Sequence, residues 1–180
     1  QGGEVTLITD VTGDFTVPEG KTVTLNLNGC KITNQTGHTI TVESGAALTI
    51  AGSGTIDNVT HAKAAIYNNG TMTINGGTYT RSLEVPCTAA NEFKTSNSWY
   101  TVVNNGTMTI NGGTFYTSDG QSANLGNFSS LIRNGADPDS NSGVYLTITD
   151  GSFTSGANVI KNEPGSVIVS ISGGTFTMDN

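Results

Sequence analysis

Apolar and polar residues alternate along this chain in short runs of period two, and no helical period is sustained anywhere. The clearest run is Gly70-Thr-Met-Thr-Ile-Asn-Gly-Gly-Thr-Tyr-Thr80. It returns almost unchanged as Gly106-Thr-Met-Thr-Ile-Asn-Gly-Gly-Thr-Phe-Tyr-Thr117. Weaker copies lie on both sides: Leu25-Asn-Leu-Asn-Gly-Cys-Lys-Ile32, Leu48-Thr-Ile-Ala-Gly-Ser-Gly-Thr-Ile56, Leu146-Thr-Ile-Thr-Asp-Gly-Ser-Phe153 and Val169-Ser-Ile-Ser-Gly-Gly-Thr-Phe176. Alternation of this kind marks strands with one buried face, and the glycines between them permit sharp turns.

The first apolar residue of each copy (Leu25, Leu48, Met72, Met108, Leu146, Val169) marks the period, with intervals of 23, 24, 36, 38 and 23 residues. A repeat of this length that cannot bury its own apolar face predicts a solenoid, each coil stacking on the next. The six markers are expected to form one inward column. Each coil holds three strand segments, seen best in Ile66-Tyr-Asn68, Met72-Thr-Ile74 and Thr78-Tyr-Thr80. We therefore expect an all-β, single-stranded, right-handed parallel β-helix of about six rungs, three strands per rung. Residues 1–180 form one domain, with 1–21 completing a first coil and capping the core. Asn68 and Asn104 recur at one position and are expected to have a structural role, stacking as a hydrogen-bonded ladder or satisfying turn amides.

Composition fits this scaffold. The 180 residues are 34% hydrophobic and 12% charged, with 24 glycines. The formal net charge of −7 argues against nucleic acid and anionic membranes as partners. No apolar run approaches the ~20 residues of a membrane span. The chain begins at Gln1 without Met, so we expect it to be part of a larger multidomain protein. Two cysteines are too few for a disulfide framework, and Cys30 and Cys87 fall on different corners and rungs.

Thr22-Val-Thr-Leu-Asn-Leu-Asn-Gly-Cys-Lys-Ile-Thr33, with the Asn-Asn-Gly-Thr-Met-Thr-Ile-Asn-Gly-Gly-Thr repeats, resembles coils of large secreted or wall-attached proteins of Gram-positive gut bacteria. It is similar, more broadly, to the pectin-lyase-like β-helix group. The resemblance covers nearly the whole chain outside its insertions. It implies an extracellular location and a β-helix, and leaves activity open because one fold carries many functions.

The two long intervals come from insertions at 81–100 and 117–130. Both leave after the Thr-aromatic strand and return before the Ile-x-Asn strand, so they are expected at one corner, one above the other. Loops gathered at one edge of a solenoid commonly form its binding surface. The first holds Phe93, Asn97, Tyr100 and the only Trp, Trp99; the second holds Asn124 and begins beside Tyr116. Aromatic faces flanked by amides suit the C–H face and hydroxyls of a sugar. These six residues are the expected ligand-binding set, the ligand being a glycan or a host or bacterial surface protein. Trp99, Tyr100 and Phe128 have a structural role open to them too, as anchors of their own loops.

Catalytic chemistry finds less support. Glycosidases need two or three clustered carboxylates, and lyases a base with a cation or Ca²⁺. The outward column after the aromatic position runs Thr33, Asp57, Thr80, Tyr116, Thr154, Thr177, with one carboxylate. Arg81 and Arg133, the only arginines, share a column with no acid pair. Asp137-Pro-Asp139-Ser-Asn141 alternates oxygen donors but lacks the glycine and distal Glu of a Ca²⁺ loop. His38 and His61 have no metal-ligand partner at the usual spacing and read as surface or turn residues. Thr-x-Thr pairs suggest ice binding, but the columns Asn26, Thr49, Thr73, Thr109, Thr147, Ser170 and Thr24, Ala47, Thr71, Thr107, Tyr145, Ile168 break at both ends. We expect no cofactor, no metal and no catalytic residue. The favoured reading is an adhesion or glycan-binding module; a polysaccharide lyase or hydrolase and a structural stalk are the alternatives.

Overall fold

In a computed structural model, residues 2–60, 62–82, 99–117, 130–136 and 142–178 are described. All regular structure among them is β-strand. Three parallel sheets of seven, seven and six strands run the length of the molecule. Each coil contributes one strand in turn to the first seven-stranded sheet (sheet I), the second seven-stranded sheet (sheet II) and the six-stranded sheet (sheet III), so the chain is a parallel β-helix, three strands per rung. The first coil, for example, is Gly3–Thr6, Val11–Thr12 and Phe15–Val17, and the fourth is Thr71–Ile74, Thr78–Thr80 and Val102–Asn104. Six coils are complete, and Val167–Ile171 with Thr175–Met178 begin a seventh. No helix among the described residues is long and apolar enough to cross a membrane.

The core is a set of columns along the axis. In sheet I, Val23, Leu48, Met72, Met108, Leu146 and Ile168 pair rung by rung. Beside them run Leu25, Ile50, Ile74, Ile110, Ile148 and Ile171. This corrects the expected column at both ends. Leu25 pairs with Ile50 instead of Leu48, and Ile168 instead of Val169 faces Leu146. A slip of two residues leaves every side chain on its own face, so alternation cannot detect it. At the first end, Leu27 is a further inward residue, fully buried at the turn, so the coil's turn comes later than the repeat suggests. At the other end, the register shifts between Leu146 and Thr147, so that Val169 is an extra residue in its strand. The outward threonine column gains Thr24 and becomes Thr24, Thr49, Thr73, Thr109, Thr147, Ser170, while its neighbour is still interrupted by Ala47 and Tyr145.

Sheet II stacks Tyr79, Phe115, Phe153 and Phe176, with centroids 4.6, 4.9 and 4.8 Å apart and rings within 10° of parallel. The Tyr79 hydroxyl donates to the Gly76 carbonyl at 2.8 Å, and burial raises its pKa. Sheet III ends its strands on the asparagine ladder Asn68, Asn104, Asn134 and Asn162. Each Nδ2 donates to the next Oδ1 at 2.8, 2.8 and 2.7 Å. Glycines at the following turn serve close approach. A Cβ on Gly106 would lie 2.2 Å from the Gly70 carbonyl oxygen below it.

Residues 3–17 form a first coil whose strands pair with the next. A cavity of about 270 Å³ stays open at this end, lined by Val5, Leu7, Phe15, Val17, Val23 and Leu25 among others. In the first coil Gly3 faces Val23, so no side chain lies above that column end, while Val5 and Val17 face Leu25 and Val42.

Candidate functional site

Both insertions connect a sheet II strand to a sheet III strand. The first runs from Thr78–Thr80 to Val102–Asn104, and the second from Thr114–Tyr116 to Ile132–Asn134. They therefore leave one corner of adjacent coils, as the repeat spacing implies. Phe93, Asn97 and Asn124 lie outside the described residues, as do Cys87, Phe128, His61 and Asp137–Asn141. Trp99, Tyr100 and Tyr116 are described, and all three are half-buried.

The base of the first insertion is fastened at both ends. Where the chain leaves, Ser82 donates its N–H and its hydroxyl to the Asp57 carboxylate at 2.8 and 2.6 Å. Asp57 is fully buried, and Lys31 Nζ reaches Oδ2, the oxygen that accepts the Ser82 hydroxyl, at 2.8 Å. Where the chain returns, Arg81 Nη1 donates to the Trp99 carbonyl at 3.3 Å, and Nη2 to the Thr60 carbonyl at 2.9 Å. Arg81 has no exposed surface, so its charge is spread over buried acceptors at this corner. Below it, His38 stacks on Tyr67 at 4.3 Å and accepts the Ala64 N–H at Nδ1, 2.8 Å away. Burial, then the nearby Lys63 charge, push the imidazole pKa down to about 4. His38 is thus a half-buried corner brace, not a free surface residue.

With its return fixed, the insertion lays an aromatic pair at the edge of sheet III. Trp99 and Tyr100 meet edge to face at 5.3 Å. The Arg133 guanidinium lies 5.5 Å from the Tyr100 ring centroid, within cation–π range. Arg133 stands on the outward column Tyr67, Val103, Arg133, Lys161 of sheet III. Its Nε and Lys161 Nζ each reach Glu163 Oε1 at 2.8 Å. The hydrogen bond from Lys161 holds the Glu163 pKa below its usual range, and the reciprocal bond raises that of Lys161. The indole N–H of Trp99 is buried and finds no acceptor among the described residues.

Tyr116 borders this arrangement from sheet II. Its carbonyl accepts the Thr101 hydroxyl at 3.1 Å, but its ring contacts neither Trp99 nor Tyr100 among the described residues. The Arg133–Lys161–Glu163 group is the part that reading the sequence missed. Its signal was present: aligning Ile132-Arg-Asn134 with Ile160-Lys-Asn162 places Arg133 over Lys161, with Glu163 just beyond.

The fold and this corner define the chain as a parallel β-solenoid scaffold that carries an aromatic pair and a charged trio on one outer face. No family model, no curated protein and no solved structure matches it.

Proposed function

We propose that this chain is a non-catalytic extracellular module for adhesion or glycan binding, acting through the sheet III face beside the stacked insertions. The observation that carries this reading is the half-buried Trp99–Tyr100 pair, held by Arg81 and flanked by Arg133 and Lys161. An aromatic face with hydrogen-bonding groups at its rim is what a pyranose ring needs. Resemblance to coils of secreted and wall-attached proteins of Gram-positive gut bacteria, and to pectin-lyase-like solenoids, supports an extracellular setting. Glu163, the carboxylate at this face, is committed to two cations, which suits a binding role better than acid–base work.

Glycan-array binding paired with thermal melting tests the proposal. Trp99→Ala and Tyr100→Ala should weaken binding about ten- to a hundredfold, the equivalent of roughly 1–3 kcal/mol, with melting nearly unchanged. A fall in melting temperature with binding following it would make the rings loop anchors. Cutting 117–130 to a short turn should leave the coils stacked and show whether the second insertion contributes. Sugar release in the same assay would instead favour a lyase or hydrolase, and intact folding with no ligand a structural stalk.

A further inference from the structure

The charged trio beside Tyr100 has a particular arrangement. Arg133 and Lys161 are neighbours in one outward column, and Glu163 reaches both through a single oxygen, Oε1. Exposure is graded: the Glu163 side chain keeps 10% of its surface, Arg133 22% and Lys161 47%. The acid lies beneath and the cations lie outward. The trio carries a formal charge of +1 on a chain whose net charge is −7.

The hydrogen-bonding character of the rim is equally one-sided. Arg133 uses Nε on Glu163, and its Nη edge has no polar partner among the described residues. Lys161 gives Glu163 one contact, and an ammonium has three donors. Neutral sugar hydroxyls both donate and accept, so they pair best with mixed rims. A rim of donors with its carboxylate withdrawn pairs best with groups that only accept, and charge-assisted bonds to such groups are the strongest available.

Resting on the glycan-binding reading above, we propose that this face selects a glycan bearing a single acidic sugar, its carboxylate or sulfate set against Arg133 and Lys161 while the ring packs on Tyr100. A long polyanion fits poorly. Glu4, Asp10, Asp14 and Glu19 crowd the first coil, and the chain as a whole repels extended negative charge. The ligand class is therefore a mostly neutral chain with an isolated or terminal acid.

The test uses the full chain and three matched oligosaccharides: one neutral, one ending in a carboxylate sugar, and one carrying a sulfate ester. One or both acidic forms should bind at least about tenfold more tightly than the neutral form at low salt, with the preference shrinking as salt rises. The two acidic arms identify which anion is held. Lys161→Gln, a substitution at a half-exposed side chain, should erase most of the preference. Glu163→Gln, which removes the competing carboxylate, should increase it. Equal binding of neutral and acidic forms, or a preference untouched by Lys161→Gln, overturns the acidic-sugar assignment while the aromatic platform stands. A folded chain that binds none of the three overturns both.

Discussion

At the residue scale, position on the pleat decides the cost of a change. Ile74 is fully buried and stacked between Ile50 and Ile110, whereas Thr73 beside it points outward and is half-buried. Ile74→Asp puts an unpaired charge in the coil and should destabilise by several kcal/mol, on the order of 4 or more. Thr73→Ala should cost about 1 kcal/mol or less. Equal denaturant midpoints for the two variants would show the faces to be reversed. His38 provides a pH prediction. Its folded pKa, near 4, lies below the unfolded value of 6.5 because burial and Lys63 disfavour the cation. The unfolded chain then binds more protons between those values, so this group's contribution to stability is complete above pH 6.5 and is lost as pH falls toward 4. His38→Gln should flatten that part of the stability profile, and a histidine NMR titration should give a midpoint well below 6. The sequence made the inward and outward faces legible because period two is visible in any five residues. It did not reveal the brace role of His38, which comes from Tyr67 a coil away.

At the element scale, the asparagine ladder and the register carry the argument. Asn104 accepts from Asn68, and its Nδ2 donates to Asn134 and to the Tyr145 carbonyl. Asn104→Ala would strand buried partners on both sides and should cost roughly 2–4 kcal/mol, since each orphaned group costs about 1–3. Asn162, at the exposed end of the same ladder, should cost less than half as much when replaced by Ala. Similar losses at both sites, read from urea unfolding, would mean that the ladder does not act as a buried chain. The ladder was legible because Asn68 and Asn104 sit in near-identical copies. Register was less so. The copies at Leu25 and Val169 are divergent: at Leu25 a two-residue slip preserves the apolar face, and at Val169 an extra residue in the strand shifts the register by one, so only the pairing of backbones fixes Leu25 on Ile50 and Ile168 on Leu146. The insertions' shared corner was legible from spacing, while the meeting of Tyr100, Arg133 and Glu163 required three coils in three dimensions.

At the scale of the whole molecule, a solenoid's stability is close to a sum over neighbouring coils, so a residue's worth depends on its distance from the ends. Central columns are covered on both sides: Ile110 has no exposed surface, between Ile74 and Ile148. The last coil is covered on one side only, and Ile171 and Phe176 keep 46% and 39% of their surface. The first coil leaves its cavity open in the same way. Ile110→Ala should therefore cost about 2–5 kcal/mol, the range for emptying a closed core site, and should unlock the coils on both sides of it. Ile171→Ala, the same deletion in the same column, should cost about 1 kcal/mol or less, because that side chain loses little contact. Native-state hydrogen exchange should show the same gradient, with the slowest amides in the strands Thr71–Ile74 and Thr107–Ile110 and the fastest in Val167–Ile171. In the Ile110→Ala chain, protection should fall across the fourth to sixth coils together; in the Ile171→Ala chain it should fall only in the last. Uniform protection along the axis, or equal losses from the two substitutions, would mean that the coils fold as one unit whose ends are as well held as its centre.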